Sequence, residues 1–351
     1  MKKVISAVLA VVLVLSMLSM SASALGKQET GATDEWKAMV KENYDEFIAE
    51  VDGDSSKIPF IVSTDQHGQI RFGTGYYSYI NEIVDWSKIS KIINLGDTVE
   101  TFYNHYELLA YRSETKCLPS EKRIEICGNH DGHIIPAIIG TRLFFNTPNA
   151  ERSLGGGAFV VKDEQFNVRY LALDPMGLIW TYKTGRLTTN QANFLIKELS
   201  KDDSSDIVLL SHPYLFNDAI IKRDGTTFTG SETFISKSIT GTDVKQSFLD
   251  MLLARKNKTA GVLVDSFGIK HSYDFSNCES DFLMTLHGHH HGEGYETKNG
   301  ITEFLFRSFS YDSSVNPNLY SFYFAYIDTE AKTFKCWDNV KGDNAWEISI
   351  A

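Results

Sequence analysis

The first apolar pattern in the chain has the spacing of a helix. Apolar residues between positions 36 and 51 recur every three or four places, which puts them on one face of an α-helix. Thr33 or Asp34 can cap the start of this helix, and the Asp-Gly-Asp sequence at 52–54 ends it. The pattern therefore predicts an amphipathic helix that packs on a larger core.

Beyond this helix, short continuous apolar runs alternate with stretches of helical periodicity. Such runs are typical of strands that are buried on both faces of a sheet. The predicted strands are 59–62, 92–95, 123–127, 158–162, 168–173, 207–210, 283–286, 304–309, 320–327 and 333–337. The predicted helices between them are 76–89, 106–112, 189–199 and 244–254. Alternation of this kind predicts right-handed βαβ units around a mainly parallel sheet.

One long excursion interrupts this alternation. Residues 213–280 are rich in Gly, Ser and Thr and contain one clear helical segment. Long excursions inside an α/β core are more often binding loops than spacers, so we expect this one to shape specificity. Because no repeat and no Pro/Gly/Ser linker divides the chain, we expect a single domain over residues 56–351, preceded by a leader and helix at 25–55.

The first residues have the pattern of a secretory signal. Lys2 and Lys3 precede an uncharged stretch at 4–20, and Ala22 and Ala24 fit a small-x-small processing site. We therefore predict cleavage after Ala24 and export to the cell envelope or the medium. The alternative is an uncleaved anchor, because the apolar stretch is long enough to span a bilayer.

The composition is that of a large globular protein. The 34 basic and 45 acidic side chains give a net charge of −11, and loss of the signal's two lysines makes it more negative. Because phosphate contacts need clustered Lys and Arg, we expect no nucleic-acid partner. We also expect no stable membrane insertion after cleavage. The four cysteines include no Cys-x-x-Cys pair, which excludes a cysteine-built zinc ribbon and leaves any disulfide pairing open.

Five short polar blocks each follow directly on a predicted strand. They are Asp65-Gln66-His67, Gly96-Asp97, Gly128-Asn129-His130-Asp131, Ser211-His212 and Gly288-His289-His290-His291. Ligands of open α/β sheets bind in the crevice outside the carboxyl ends of the strands. Blocks that are distant in sequence are therefore expected to meet in one pocket.

The donors in these blocks are carboxylates, an amide and imidazoles, with no thiolate. That set suits borderline or harder divalent cations such as Zn, Mn, Fe or Co. Seven donors are too many for one tetrahedral ion and fit two ions, roughly 3.5–4 Å apart, that share a bridging carboxylate. The predicted ligands are Asp65, His67, Asp97, Asn129, His212, His289 and His291.

Each block alone also has an ordinary structural interpretation. Asp97 can cap a following helix, and Gly128 and Asn129 can be turn residues. His212 can be a hydrogen-bonded core histidine, and the histidine run at 287–291 can bind metal without any enzyme. All of these would have to hold together at five strand ends, so we favour one shared site.

In this order, the five blocks resemble the motif series of the calcineurin-like metallophosphoesterases: Asp-x-His, Gly-Asp, Gly-Asn-His-Asp/Glu, a lone His and Gly-His-x-His. The resemblance covers residues 58–309, including a helix-then-strand passage before the fourth block. It implies a four-layer α/β/β/α sandwich with mixed sheets and a metal site at the carboxyl ends of the strands. It also implies two divalent ions, with Mn, Fe or Zn preferred.

The resemblance implies a role for each block. One ion would be bound by Asp65, His67, Asp97 and His291, and the other by Asp97, Asn129, His212 and His289. A hydroxide that bridges the ions would attack phosphorus. His130 would protonate the leaving group, with Asp131 orienting its ring. The implied function is hydrolysis of a phosphomonoester or phosphodiester, in a small molecule or an envelope polymer.

Other interpretations remain beside this one. Purple acid phosphatases have a metal-binding Tyr at the position of Glu100 and lack the histidine that His67 supplies, so an iron–tyrosinate site is disfavoured. The main alternative is a catalytically inactive scaffold or binding protein with the same fold, although the full ligand set and His130 are present. The net negative charge argues against a nuclease. A metal-scavenging protein is a weaker alternative.

Overall fold

A computed structural model describes residues 31–100, 105–131, 147–154, 157–173, 186–201, 203–215, 219–229, 238–309, 320–338 and 345–350. The predicted signal peptide at 1–24 and nearly all of the leader at 25–32 lie outside the described residues. So do two parts of the excursion, 216–218 and 230–237. Among the helices of the described ranges, none combines the length and the apolar character needed to cross a membrane.

Each predicted helix and strand has a counterpart in the structure, whose described ranges also contain seven strands that were not predicted, four of them within the excursion at 213–280. The helices are α1 (Asp34–Val51), α2 (Tyr76–Ile83), α3 (His105–Glu114), α4 (Thr189–Leu199) and α5 (Val244–Lys256). The strands are β1 (Lys57–Ser63), β2 (Lys91–Asn94), β3 (Arg123–Glu125), β4 (Glu151–Arg152), β5 (Ala158–Asp163), β6 (Val168–Leu173), β7 (Asp206–Ser211), β8 (Ile220–Ile221), β9 (Thr227–Phe228), β10 (Ala260–Val264), β11 (Lys270–Asp274), β12 (Phe282–His287), β13 (Gly294–Lys298), β14 (Ile301–Leu305), β15 (Tyr323–Asp328), β16 (Thr333–Asp338) and β17 (Trp346–Ser349).

The strands form two large mixed sheets and one separate hairpin. The first sheet has the order β17-β16-β15-β1-β2-β3. Strands β1, β2 and β3 are parallel to one another, and each of the other three is antiparallel to its neighbours. The second has the order β4-β5-β6-β7-β12-β14-β13-β8-β9, with β6, β7, β12 and β14 parallel. The hairpin is β10-β11. The mixed α/β fold is confirmed, and the parallel arrangement is limited to part of each sheet.

Three clusters of buried side chains hold these layers together. One contains side chains from both sheets, such as Phe60 and Leu210. A second packs α1, α2 and α3 on the first sheet, with Trp36 and Phe324 among its members. The third packs α4 and α5 on the second sheet. Helices therefore pack on each of the two large sheets.

Helix α1 confirms the first apolar pattern in the sequence. The Thr33 hydroxyl caps it by accepting a hydrogen bond from the Trp36 backbone N–H at 3.2 Å. The buried Trp36 indole donates to the Tyr320 carbonyl at 3.0 Å, and the Phe47 ring stacks on Phe324 with 5.6 Å between ring centroids. The helix therefore covers the outer face of the first sheet beside β15.

The helix predicted at 76–89 is shorter than its apolar pattern suggested. It ends at Ile83. The Asp85 carboxylate accepts hydrogen bonds from the backbone N–H and the hydroxyl of Ser87, at 3.1 and 2.6 Å. This local side-chain-to-backbone pairing forms a turn in place of another helical turn.

The strand predicted at 304–309 was displaced by several residues. The structure has Ile301–Leu305 instead, paired with β13 through a turn at Asn299 and Gly300. Both turn residues have positive φ, 52° and 84°, as a type I′ hairpin requires. The strand therefore ends early enough for Ser308 to reach the carboxyl end of β1.

Candidate metal centre

The five polar blocks follow β1, β2, β3, β7 and β12, as the sequence predicted. Three of these strands belong to the first sheet and two to the second, so the blocks meet where strand ends of both sheets come together. Backbone hydrogen bonds join neighbouring blocks. The His67 N–H donates to the Asp97 carbonyl and the Gly288 N–H to the His212 carbonyl, both at 3.0 Å.

Asp97 lies at the centre of the assembled site. Its Oδ2 is 3.2 Å from Nε2 of His212, and 3.9 Å from Nε2 of both His67 and His130. Its Oδ1 accepts a hydrogen bond from the His130 backbone N–H at 2.8 Å. One oxygen of a buried carboxylate thus faces imidazoles from three blocks.

A first group of donors consists of Asp65, His67 and His291, whose ligand atoms lie within 4.8 Å of one another. The Nε2 atoms of the two histidines are 2.8 Å apart, and Oδ1 of Asp65 is 3.4 Å from Nε2 of His291. Two nitrogen ligands at about 2.0–2.1 Å from one tetrahedral Zn²⁺ are separated by about 3.3 Å. These three side chains are therefore close to the spacing that one cation requires.

A second group contains Asp97, His212 and His289, again within 4.8 Å. Oδ1 of Asn129 joins it at 3.1 Å from Nε2 of His212 and 2.9 Å from Nδ1 of His289. Nδ1 of His212 lies 2.8 Å from the Leu95 carbonyl, which can only accept a hydrogen bond. In the neutral ring the proton therefore lies on Nδ1, which would leave the Nε2 lone pair for a cation.

The predicted ligands share an uncommon backbone conformation. A positive φ is sparsely populated for a residue with a side chain and persists where the surrounding structure enforces it. Five of the seven ligands have it: Asp65 (51°), His67 (46°), Asp97 (52°), His289 (78°) and His291 (56°). The loops after β1, β2 and β12 therefore hold strained turns that direct these side chains into one place.

Two glycines of the blocks make the close packing of the loops feasible. A Cβ atom on Gly128 would lie 2.0 Å from Oδ1 of Asp97, and one on Gly288 would lie 2.0 Å from the Thr64 hydroxyl oxygen. That hydroxyl donates a hydrogen bond to Oδ2 of Asp65 at 2.6 Å. Only glycine fits at either position without moving a metal-facing carboxylate.

The carboxylates and imidazoles of the site shift each other's pKa strongly. Burial disfavours the charged form of His67, but the hydrogen bond and charge of Asp65 outweigh it and raise the His67 pKa to about 9. For His212, burial is likewise outweighed by the charges of Asp97 and Asp65, which raise its pKa to about 10. Despite their burial, the two carboxyls have their pKa values lowered, chiefly by His212. Without a cation, both histidines are protonated at neutral pH.

The structure corrects the predicted role of Asp131. Its Oδ1 accepts hydrogen bonds from the N–H groups of residues 98–99 at 2.9 and 3.1 Å, and its Oδ2 from the Gly128 N–H at 2.9 Å. The carboxylate is turned toward backbone donors because its short side chain closes a tight turn back onto Gly128. The His130 ring is instead held through Nδ1 by the Glu100 carbonyl at 2.7 Å. Asp131 therefore joins two loops and does not orient the ring.

The other histidines of the fifth block are not in the donor groups. His287 is fully buried, and burial lowers its pKa to about 3. Its Nδ1 lies about equally close to the carbonyls of Ser211 and Pro213, at 3.1 and 3.0 Å. The His290 ring packs edge-on against Tyr214, with 4.4 Å between ring centroids. Both are neighbours of the site, as predicted.

Two contacts of the site were not predicted. The Ser308 hydroxyl donates to the backbone carbonyl of Asp65 at 2.7 Å, and Oε2 of Glu100 lies 3.0 Å from Nδ1 of His67. Glu100 stands three positions after Asp97, and that spacing was the only available signal. Ser308 lies beyond the last block, where no sequence pattern indicated it.

The donor set fits borderline or hard divalent cations. Six of the seven predicted ligands lie in three overlapping groups of possible donors, one of which is His67, Asp97 and His130. Asn129 lies beside His212 and His289, and none of the donors is a thiolate. Two facing imidazole nitrogens at 2.8 Å repel each other unless a proton or a cation lies between or beside them. The residues thus have the chemistry that the predicted ions require.

No family model matches this chain, and no curated protein is similar to it in sequence. Solved structures similar to it include a purple acid phosphatase from yellow lupin (Lupinus luteus) seeds, with a TM-score of 0.48, 13% identity, and coverage of 85% of this chain and 54% of that one. PhoD has a TM-score of 0.45 and 10% identity, and the match covers 84% of this chain and 68% of that one. GAP50, the anchor in the inner membrane complex of Plasmodium, has a TM-score of 0.45 and 11% identity, and the match covers 84% of this chain and 89% of that one. The chain spans about half the length of the lupin enzyme.

Proposed function

We propose that this protein is a metal-dependent phosphoesterase of the calcineurin-like type that hydrolyses phosphomonoesters or phosphodiesters. The observation that carries the proposal is the position of Asp97, whose Oδ2 lies 3.2 Å from His212 and 3.9 Å from His67. A carboxylate oxygen between two groups of donors fits two cations that share it. A helix cap or an isolated core histidine would need no such arrangement.

The ligands divide into two sets that share one carboxylate. The first ion would be held by Asp65, His67, Asp97 and His291, and the second by Asp97, Asn129, His212 and His289. The carboxylates supply the charge and the asparagine a neutral oxygen. Mn, Fe and Zn all suit these donors. Such a pair, when bound, supplies a nucleophile by lowering the pKa of water and stabilises the attacking and leaving oxygens.

His130 is the residue that we assign to the leaving group. Its Nδ1 bonds the Glu100 carbonyl at 2.7 Å, which leaves Nε2 as the nitrogen that faces the site. Nε2 lies 3.9 Å from Oδ2 of Asp97, and the side chain is 18% exposed, so a substrate can reach it. In its protonated form, this ring can donate a proton to the departing oxygen.

The substrate follows from the chemistry of the site and from the predicted export. Phosphate esters of small molecules or of envelope polymers would meet an exported enzyme of this kind. The net charge of −11 disfavours a polyanionic nucleic acid as the natural substrate. The excursion at 213–280 is the segment that we expect to select among the remaining esters.

The proposal is tested with the purified protein, stripped of metal and reloaded with Mn, Zn, Fe or Mg. Aryl phosphomonoesters and phosphodiesters serve as substrates. We expect hydrolysis that depends on the added metal and is lost in Asp97→Ala. An inactive scaffold predicts two bound ions without hydrolysis of any ester. A metal-scavenging protein predicts ion binding whose affinity is unchanged by phosphate or its analogues.

A further inference from the structure

The loop after Asp97 is held by carboxylates at three consecutive backbone N–H groups. The N–H groups of residues 98–99 donate to Asp131, and that of Glu100 donates to Oε2 of Glu107 at 2.8 Å. A loop secured at each of three successive residues has little freedom to rearrange. The Glu100 side chain therefore extends from a fixed backbone.

The approach of Glu107 depends on the residue that follows His67. A Cβ atom on Gly68 would lie 2.3 Å from the carboxyl carbon of Glu107, and Gly68 has a φ of +68°. Glycine is thus required for the α3 carboxylate to reach the Glu100 N–H. The Gly68 N–H also donates to the Thr98 carbonyl at 2.9 Å, which joins the first loop to the second.

The Glu100 carboxylate extends from this loop to the far side of the His67 ring. Oε2 lies 3.0 Å from Nδ1 of His67, whose side chain is 7% exposed. Nδ1 is buried and has no well-aligned hydrogen bond among the described residues, and the Glu100 carboxylate is the acceptor within reach of it. Nε2 of the same ring faces Asp65, Asp97 and His291.

We propose that Glu100 is a positioning residue that fixes His67 as a ligand through Nε2. This inference rests on the proposed function, because it requires a cation in the first donor group. A carboxylate that accepts the Nδ1 proton keeps the lone pair on Nε2, holds the ring plane and makes the nitrogen more basic. Among the described residues, the other ring contacts of His67 are all on the Nε2 side or edge-on.

The test measures the binding of Zn²⁺ alone, without substrate, in wild type, Glu100→Ala and Glu100→Gln. Removal of such a partner lowers metal affinity by about 10- to 100-fold. We expect that loss for one of the two ions in Glu100→Ala, and a smaller loss in Glu100→Gln, whose amide oxygen can still accept the Nδ1 proton. The melting temperature of the metal-free variants should match that of wild type, because the Glu100 side chain is 58% exposed.

A second readout reports on the ring itself. In the zinc-loaded wild type, ¹⁵N NMR of the histidines should show His67 protonated at Nδ1 and bound through Nε2. Glu100→Ala should broaden or shift that Nδ1–H signal and leave those of the other ligands unchanged. Glu82→Ala, which removes an exposed carboxylate from α2, serves as the matched control. It should change neither the affinity nor the spectrum.

The outcomes separate this inference from the proposed function. Two zinc ions bound by Glu100→Ala with wild-type affinity would overturn the positioning role and leave the phosphoesterase proposal intact. An equal loss in Glu82→Ala would also overturn it, because the effect would then be one of net charge. A wild type that binds two ions and hydrolyses no ester would contradict the proposed function alone. A wild type that binds no zinc would overturn both.

Discussion

His67 and His291 face each other through their Nε2 atoms at 2.8 Å, at the carboxyl ends of strands from different sheets. Two imidazole lone pairs at this distance repel, so a proton must lie on one ring when no cation is bound. The nearby carboxylates favour that proton, and the His67 pKa is raised to about 9. The same atoms can therefore bind either a proton or a metal ion.

Metal binding should consequently release protons. Because the pKa values of His67 and His212 are raised to about 9 and about 10, both rings are protonated at pH 7 and must lose their protons to become ligands. Metal affinity should therefore rise with pH until about 10, where both rings are deprotonated, and fall as the pH decreases below that value. Calorimetric titrations in buffers of different ionisation enthalpy should count about two protons released per protein at pH 7. An affinity independent of pH between 6 and 9 would contradict the prediction.

The bridging and acid roles predict opposite results for Asp97 and His130. Asp97→Ala removes the oxygen that faces both donor groups, so neither ion should remain after gel filtration. His130→Gln leaves all seven proposed ligands in place, so the variant should retain both ions. Its turnover should fall by about 10²- to 10⁴-fold, because the acid for the leaving group is lost. Metal analysis and hydrolysis of an aryl phosphate check the pair. Two ions still bound by Asp97→Ala would rule out the bridge, and loss of an ion from His130→Gln would make that histidine a ligand.

Much of the site could be predicted because its ligands follow buried strands. Asp65, Asp97 and His212 each come directly after a continuous apolar run, and the ends of neighbouring parallel strands converge at one edge of a sheet. The direction of individual side chains was not available from such patterns. The resemblance placed the orienting acid at Asp131, yet that carboxylate bonds backbone N–H groups, and the Glu100 carbonyl holds the His130 ring.

One error in the fold, the displaced strand β14, occurs where buried polar residues break the apolar pattern. In β14, Thr302 and Glu303 are 0% and 2% exposed, so the strand continues through residues that usually face solvent. The Glu303 carboxylate is stabilised there because it accepts a hydrogen bond from the Leu215 N–H at 2.8 Å. Such long-range pairing cannot be recognised from a local pattern. The Asn299-Gly300 turn was a usable signal for the same hairpin.

The close contact at Gly288 predicts a sensitive position beside the ligands. In Gly288→Ala, the new methyl group would meet the Thr64 hydroxyl at 2.0 Å and displace the Asp65 carboxylate that this hydroxyl bonds. We expect loss of the ion held by Asp65 and a fall of activity of at least tenfold. Gly292→Ala is the control, because its Cβ would lie 3.4 Å from the Phe228 ring, an ordinary contact. Similar metal contents in the two variants would contradict the packing argument.

Variants of Asp131 distinguish its two possible roles, which are to join two loops and to orient the His130 ring. Asp131→Ala leaves the N–H groups of residues 98–99 and of Gly128 without their acceptor, which should destabilise the metal-free protein by about 1–3 kcal/mol in urea unfolding. Asp131→Asn should lie between wild type and alanine, because its amide oxygen can still accept from residues 98–99.

The orienting role predicts a different result for the same variants. If Asp131 oriented the ring, both would change the pH dependence of turnover without loss of stability or metal. If it joins the loops, stability and metal content fall together, and the residual activity keeps the wild-type pH profile, because the Glu100 carbonyl still holds His130 at Nδ1. Urea unfolding, metal analysis and a pH–rate profile of Asp131→Asn therefore decide between the two. We expect lowered stability with an unchanged profile.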